Sequence, residues 1–162
     1  MMCFQWIFLT LALAVLGCSG ESADALFQEG EKATHDIHSY DEAEAKLSQF
    51  LEKFPHDSRA DVALQALARV LMNRGKNEAA IARYESLIQK FPDSRFCAQA
   101  QFMIAYIHDQ DGAYDKAKAA YQKVIENYPQ SELVDDAEIS IQNMGKTPET
   151  WLFPENGSQD KK

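Results

Sequence analysis

Positive charge is scarce in this chain. Lys and Arg total 16 against 25 Asp and Glu, and no charged residue of either sign precedes Glu21. The net charge of −9 argues against a nucleic-acid partner, whose phosphates are held by basic residues that displace counterions. It argues equally against adhesion to an anionic lipid surface through a basic patch. Cysteine is scarcer: Cys3, Cys18 and Cys97 are the three present, and two lie in an N-terminal stretch that reads as an export signal. That leaves Cys97 alone, excludes an intramolecular disulfide framework, and makes it a small packed hydrophobe rather than a redox thiol.

Motifs for chemistry are missing too. The chain has no HExxH, CxxC, phosphate-cradling glycine loop or GxSxG elbow. His35 and His38 flank Asp36, but no third and fourth metal ligands stand nearby, and a polar inter-helix turn suits them better. Asp135 and Asp136 are adjacent, so on a helix they point about 100° apart and form no acid–base pair. The reading is non-catalytic, with no metal, no cofactor, no small-molecule substrate and no nucleic acid.

What is present is a period. Gly75 and Gly112, Ala80 and Ala117, Tyr84 and Tyr121, and Pro92 and Pro129 are each separated by 37 residues. Tyr40, Ala43, Leu47, Leu51, Phe54 and Pro55 carry the same pattern one unit earlier. A fixed period with glycines and prolines in phase is the mark of a stacked helical array. Ala43, Ala80 and Ala117 are small where paired helices must approach closely. Leu47, Tyr84 and Tyr121 follow at helical spacing on the buried face. Asp41, Glu78 and Asp115 open second helices, where a carboxylate meets the positive end of the helix dipole.

Phe54, Phe91 and Tyr128 each precede a proline, which ends the helix. Ser58, Ser94 and Ser131 are candidate N-caps for the helices that follow. The pattern predicts helices at 22–34, 41–54, 58–74, 77–90, 94–110, 114–127 and 131–143. The fold class is all-α: an α-solenoid of about three helix-turn-helix units plus a C-terminal capping helix. The first helix is expected to be an irregular N-terminal half, because Gly30 sits one place out of register relative to Tyr40.

The N-terminus reads as an address. Phe4–Leu16 is a 13-residue, almost wholly apolar run, short of the roughly 20 residues a membrane-spanning helix needs and suited to a signal-peptide core. Val15-Leu16-Gly17-Cys18 resembles a bacterial lipobox, with Cys18 as the lipidated residue. The alternative is ordinary cleavage after Gly20. The expected division is a lipoprotein signal at 1–17, a repeat domain at 18–145 and a tail at 146–162. In the tail, Trp151, Leu152 and Phe153 are expected to fold back over the end of the array.

The units resemble the tetratricopeptide repeat. The matching residues are Ile104, Ala105, Gly112, Tyr114, Ala117, Tyr121 and Pro129, and one unit earlier Leu67, Ala68, Gly75, Ala80, Tyr84 and Pro92. The longer period and the phrases Lys90–Ser94 and Asn127–Ser131 are similar to the bacterial-envelope branch of the family. That branch includes the TolA-binding protein of the Tol-Pal system and a lipoprotein of the outer-membrane-protein assembly machine. The resemblance implies an interaction scaffold whose partners are other envelope proteins or peptides. Attachment would be through a lipid on Cys18, and Ser19 after the cysteine implies an outer-membrane lipoprotein facing the periplasm. A soluble periplasmic adaptor or spacer is the alternative. The family register implies a concave binding wall of Gln65, Arg69, Met72, Gln99, Phe102, Tyr106 and Asp109, with Ile139 on the capping helix.

Overall fold

The computed structural model describes residues 21–146, so Cys18 and the Trp151–Phe153 cluster lie outside the described residues. Within them the chain forms α1 (Ala23–Ala33), α2 (Tyr40–Lys53), α3 (Ala60–Asn73), α4 (Asn77–Lys90), α5 (Cys97–Gln110), α6 (Tyr114–Asn127) and α7 (Leu133–Asn143). A single 3-10 turn, Ile37–Ser39, lies between α1 and α2. No strand occurs among the described residues, and no helix there is long and apolar enough to cross a membrane. Each helix packs on its neighbours in sequence, so three hairpins stack in order and α7 closes the array. This is the α-solenoid expected from the period.

Local chemistry explains why the units repeat. Gly75 and Gly112 adopt φ of +70° and +71°, a left-handed conformation that costs a side-chain-bearing residue about 1–2 kcal/mol. Each sits two residues past the last helical residue and donates its N–H to the carbonyl of Met72 or Asp109. The next residues, Lys76 and Ala113, reach back to Leu71 and His108, completing the paired bonds that satisfy a helix C-terminus. Phe54, Phe91 and Tyr128, each before a proline, share φ of −130° with ψ of 55°, 61° and 53°. The proline ring excludes the helical region there and ends each second helix.

The buried columns follow the same spacing. Ala43, Ala80 and Ala117 are fully buried, as are Leu47, Tyr84 and Tyr121, and Phe50, Leu87 and Val124. Leu51, Ile88 and Ile125 are half-buried and lean on this core from its edge. Cys97 is buried, its thiol donates to the Phe91 carbonyl at 3.1 Å, and burial pushes its pKa up, so it remains a protonated thiol.

Two expectations are corrected. The first helix keeps the register of the later units and is irregular only at its end. Ala23, Ala60 and Cys97 begin α1, α3 and α5 at 37-residue intervals. Leu26 fills the buried place taken later by Ala63, Ala100 and Ala137. Gly30 is inside α1, where a Cβ would lie 2.9 Å from Leu47 Cγ, so it permits α2 to approach and has no turn role. The turn equivalent is His38, which lacks glycine's left-handed freedom. There α1 stops early and the 3-10 turn takes over, with the Asp36 carboxylate accepting from the His38 N–H at 2.9 Å.

The serines are not helix N-caps either. Arg59, Phe96 and Glu132 occupy those positions and make no side-chain cap. Ser94 and Ser131 act before those positions, accepting through Oγ from the N–H of Phe96 and Leu133. Their true counterpart in the first unit is Asp57, whose Oδ1 accepts from the Arg59 N–H at 2.9 Å, and not Ser58. Helices α3, α5 and α7 therefore start two or three residues later than the serines suggested.

Candidate functional site

The two sides of the array differ. First helices touch across units, α1 with α3 and α5 with α7. Second helices splay and leave clefts between them. One, between α2 and α4, is lined by Ser48, Leu51, Glu52, Arg83 and Ser86. The next, between α4 and α6, is lined by Glu85, Ile88, Gln89, Ala119 and Lys123. Close first helices and parted second helices make the first-helix side the inner wall of a curved stack.

The predicted wall residues fall into two groups. On α3, Gln65 and Met72 are half-buried, Met72 is packed on the core, and the Gln65 Oε1 is buried without a hydrogen-bond partner. Arg69 is exposed and donates to the buried Thr34 hydroxyl at 3.4 Å, a strut back to the first unit. On α5, Gln99 is exposed, while Phe102 is half-buried with its ring edge-on to Tyr121, centroids 5.2 Å apart. One turn on, Tyr106 is 40% exposed. Ile139 on α7 is 55% exposed. The aromatic pair thus divides: Phe102 packs within its own unit and Tyr106 faces solvent.

Asp109, a turn beyond Tyr106, is half-buried, and burial raises its carboxyl pKa above the usual range. The cause is loss of water around a charge without compensating donors. Lys32 was absent from the predicted wall. It lies 37 residues before Arg69, which lies 37 before Tyr106, so the spacing alone would have found it. Asp136 follows Gln99, and Ile139 follows Phe102, by the same interval.

Outside the wall, the described residues bring together no cluster that resembles a reaction centre. His35 and His38 are exposed on the first turn, and the Asp36 carboxylate between them is held by the His38 N–H and the Ser39 hydroxyl. No group of three or more His, Cys, Asp and Glu among the described residues is arranged to hold a metal ion. Gln101 is a buried polar side chain that donates to the Ala120 carbonyl at 3.1 Å where the preceding unit has Leu64.

Residues 66–132 match the tetratricopeptide-repeat family model. The matched stretch begins within α3 and ends just before α7, so it holds most of the second unit and all of the third. The helix pair before it and α7 after it continue the same packing, which makes the whole described array a tetratricopeptide-like α-solenoid. Such repeats are typically non-catalytic and serve protein–protein interaction. No curated protein matches the chain.

Proposed function

We propose that this chain is a non-catalytic scaffold that binds a protein partner on its inner wall, exported to a bacterial cell envelope and tethered there by lipid on Cys18. One observation carries the binding side of this reading. Tyr106 and Ile139 stand substantially exposed on neighbouring first helices that are in contact, with Phe102 beside them. Aromatic and aliphatic side chains left facing water on a curved rigid wall are the groups that anchor interfaces. The export side is supported by the uncharged apolar run Phe4–Leu16 ahead of Cys18. The role in the envelope is to hold or assemble membrane-associated complexes, with a soluble periplasmic adaptor as the second form.

Two experiments test the parts separately. In-cell crosslinking to the wild-type chain should recover a protein partner that a Phe102→Ala, Tyr106→Ala double variant loses, with its helical circular dichroism unchanged. Retention of that partner by a folded double variant would make the array a spacer. Cys18→Ala should move the protein from the membrane fraction to the soluble one. No change in fractionation would remove the lipid anchor and leave the scaffold.

A further inference from the structure

The inner wall changes chemistry along its length. Its first two units present Gln28, Lys32, Gln65 and Arg69 at equivalent places. From α5 onward the same places hold Phe102, Tyr106 and Ile139, flanked by Asp109 and Asp136. Neither α5 nor α7 contains a Lys or Arg. All ion pairs among the described residues lie between Glu21 and Lys76, so no basic side chain of the array answers the acids of α5 and α7.

We infer that the α5–α7 wall takes a cationic amphipathic protein segment, its apolar side chains on Phe102, Tyr106 and Ile139 and its Lys or Arg side chains toward Asp109 and Asp136. The inference rests on the reading of the inner wall as the binding surface and names the partner's chemistry. Charge complementarity gives the sign: an acidic segment would bring like charge against half-buried Asp109, and one that is apolar throughout would leave both acids unpaired over a covered surface. The burial that raises the Asp109 pKa acts in the same direction, because a cation brought against it compensates the lost water. Lys32 and Arg69 set the boundary, since a cationic segment is repelled as it extends toward α1. The partner therefore sits on the C-terminal half of the wall.

The test uses the full chain and three synthetic peptides of about 15 residues with identical Leu and Phe positions, the remaining positions being Lys, Gln or Glu. Binding is read by fluorescence anisotropy at low and moderate salt. The Lys peptide should bind at least about tenfold more tightly than the Glu peptide and weaken with salt. Tyr106→Ser and Ile139→Ser, which leave the charge unchanged, should each weaken it severalfold. Asp109→Asn should shrink the difference between Lys and Glu peptides.

Equal binding of the three peptides, lost in Tyr106→Ser, would overturn the charge assignment and leave the scaffold reading standing. Lys-peptide binding indifferent to both serine variants would mean adhesion to the acidic surface at large and overturn the placement. Self-association of the full chain abolished by Tyr106→Ser would give the wall to a second copy instead. Binding of none of the peptides would also overturn the inference, while the crosslinking test above judges the scaffold by itself.

Discussion

Residues 21–76 and residues 97–146 share one backbone plan and are stabilised by different surface chemistry. In the N-terminal part, Arg59 reaches Asp24 at 2.7 Å and Asp57 at 2.8 Å, and its guanidinium lies 4.9 Å from the Phe27 ring and 5.6 Å from the Phe50 ring. Arg74 joins Asp41 and Glu44, Lys76 joins Glu44, and Lys46 joins Glu21 and Glu29. In the C-terminal part the equivalent of Arg59 is Phe96, and no ion pair occurs among the described residues. That half is held by apolar columns, the Phe102–Tyr121 ring contact and the Gln101–Ala120 hydrogen bond. The fold requires the columns, glycines and prolines. Surface charge is free to diverge, and where it has, the inner wall shows apolar side chains instead.

The largest way to separate the halves is at one buried column. Phe50→Ala should cost about 3–5 kcal/mol, because it removes a fully buried ring that packs on Phe27 at 5.4 Å and Phe54 at 6.0 Å. Val124→Ala, two units later in the same column, should cost about 2 kcal/mol, since fewer buried methyl groups are lost. Urea denaturation of the two variants checks this, and equal losses would mean the column does not carry the difference.

Turn glycines give the next effect. Gly75→Ala and Gly112→Ala should each cost about 1–2 kcal/mol through backbone strain alone, since an added Cβ there meets nothing within 4 Å. His38→Gly at the equivalent place should change stability by less than about 0.5 kcal/mol, because the 3-10 turn needs no left-handed residue. A large effect at His38 would mean that the first turn depends on the histidine itself.

The smallest effect is the response to acid, which has opposite signs in the two halves. Hydrogen bonds from the Arg59 side chain, then from its N–H, hold the Asp57 carboxyl down to about 2. Its unfolded value is about 3.9, so its stabilisation is complete above that value and disappears as pH falls through it toward 2. Asp109 is raised by burial, so its charged form opposes folding at neutral pH, and that opposition vanishes as pH falls through the raised value. Melting scans from pH 7 to pH 3 should show Asp57→Asn less stable than wild type at pH 7, with the gap closing in acid. Asp109→Asn should be slightly more stable at pH 7, with its advantage closing in acid. Parallel curves for both variants would reject this division.

Much of the architecture was legible beforehand. The helices lie within three residues of their predicted bounds, because helix starts and stops are written in local terms. Proline excludes helical φ and ψ before it, and glycine alone enters the left-handed region without strain. The place of Gly30 was not legible, because it is set by the close approach of Leu47 on another helix and not by a local pattern of its own. The serine caps were misread because Ser58 stands next to the residue in phase, Asp57, and a carboxylate does there what a hydroxyl does in later units.

The wall was only half legible. Phase placed Phe102 and Tyr106 one turn apart on the same face, but only packing decided that Phe102 rests on Tyr121 and Tyr106 stays in water. The sequence by itself determined the period, the helix pairs, the turn glycines and the alanine columns, since each depends on backbone geometry and side-chain volume within a single unit. Tertiary structure alone decided which charges pair and which stay unanswered. Arg59 meets Asp24 and Arg74 meets Glu44 across units, over sequence separations of 35 and 30 residues. Long flexible side chains carry no period, so their partners are set only when one unit is stacked on the next.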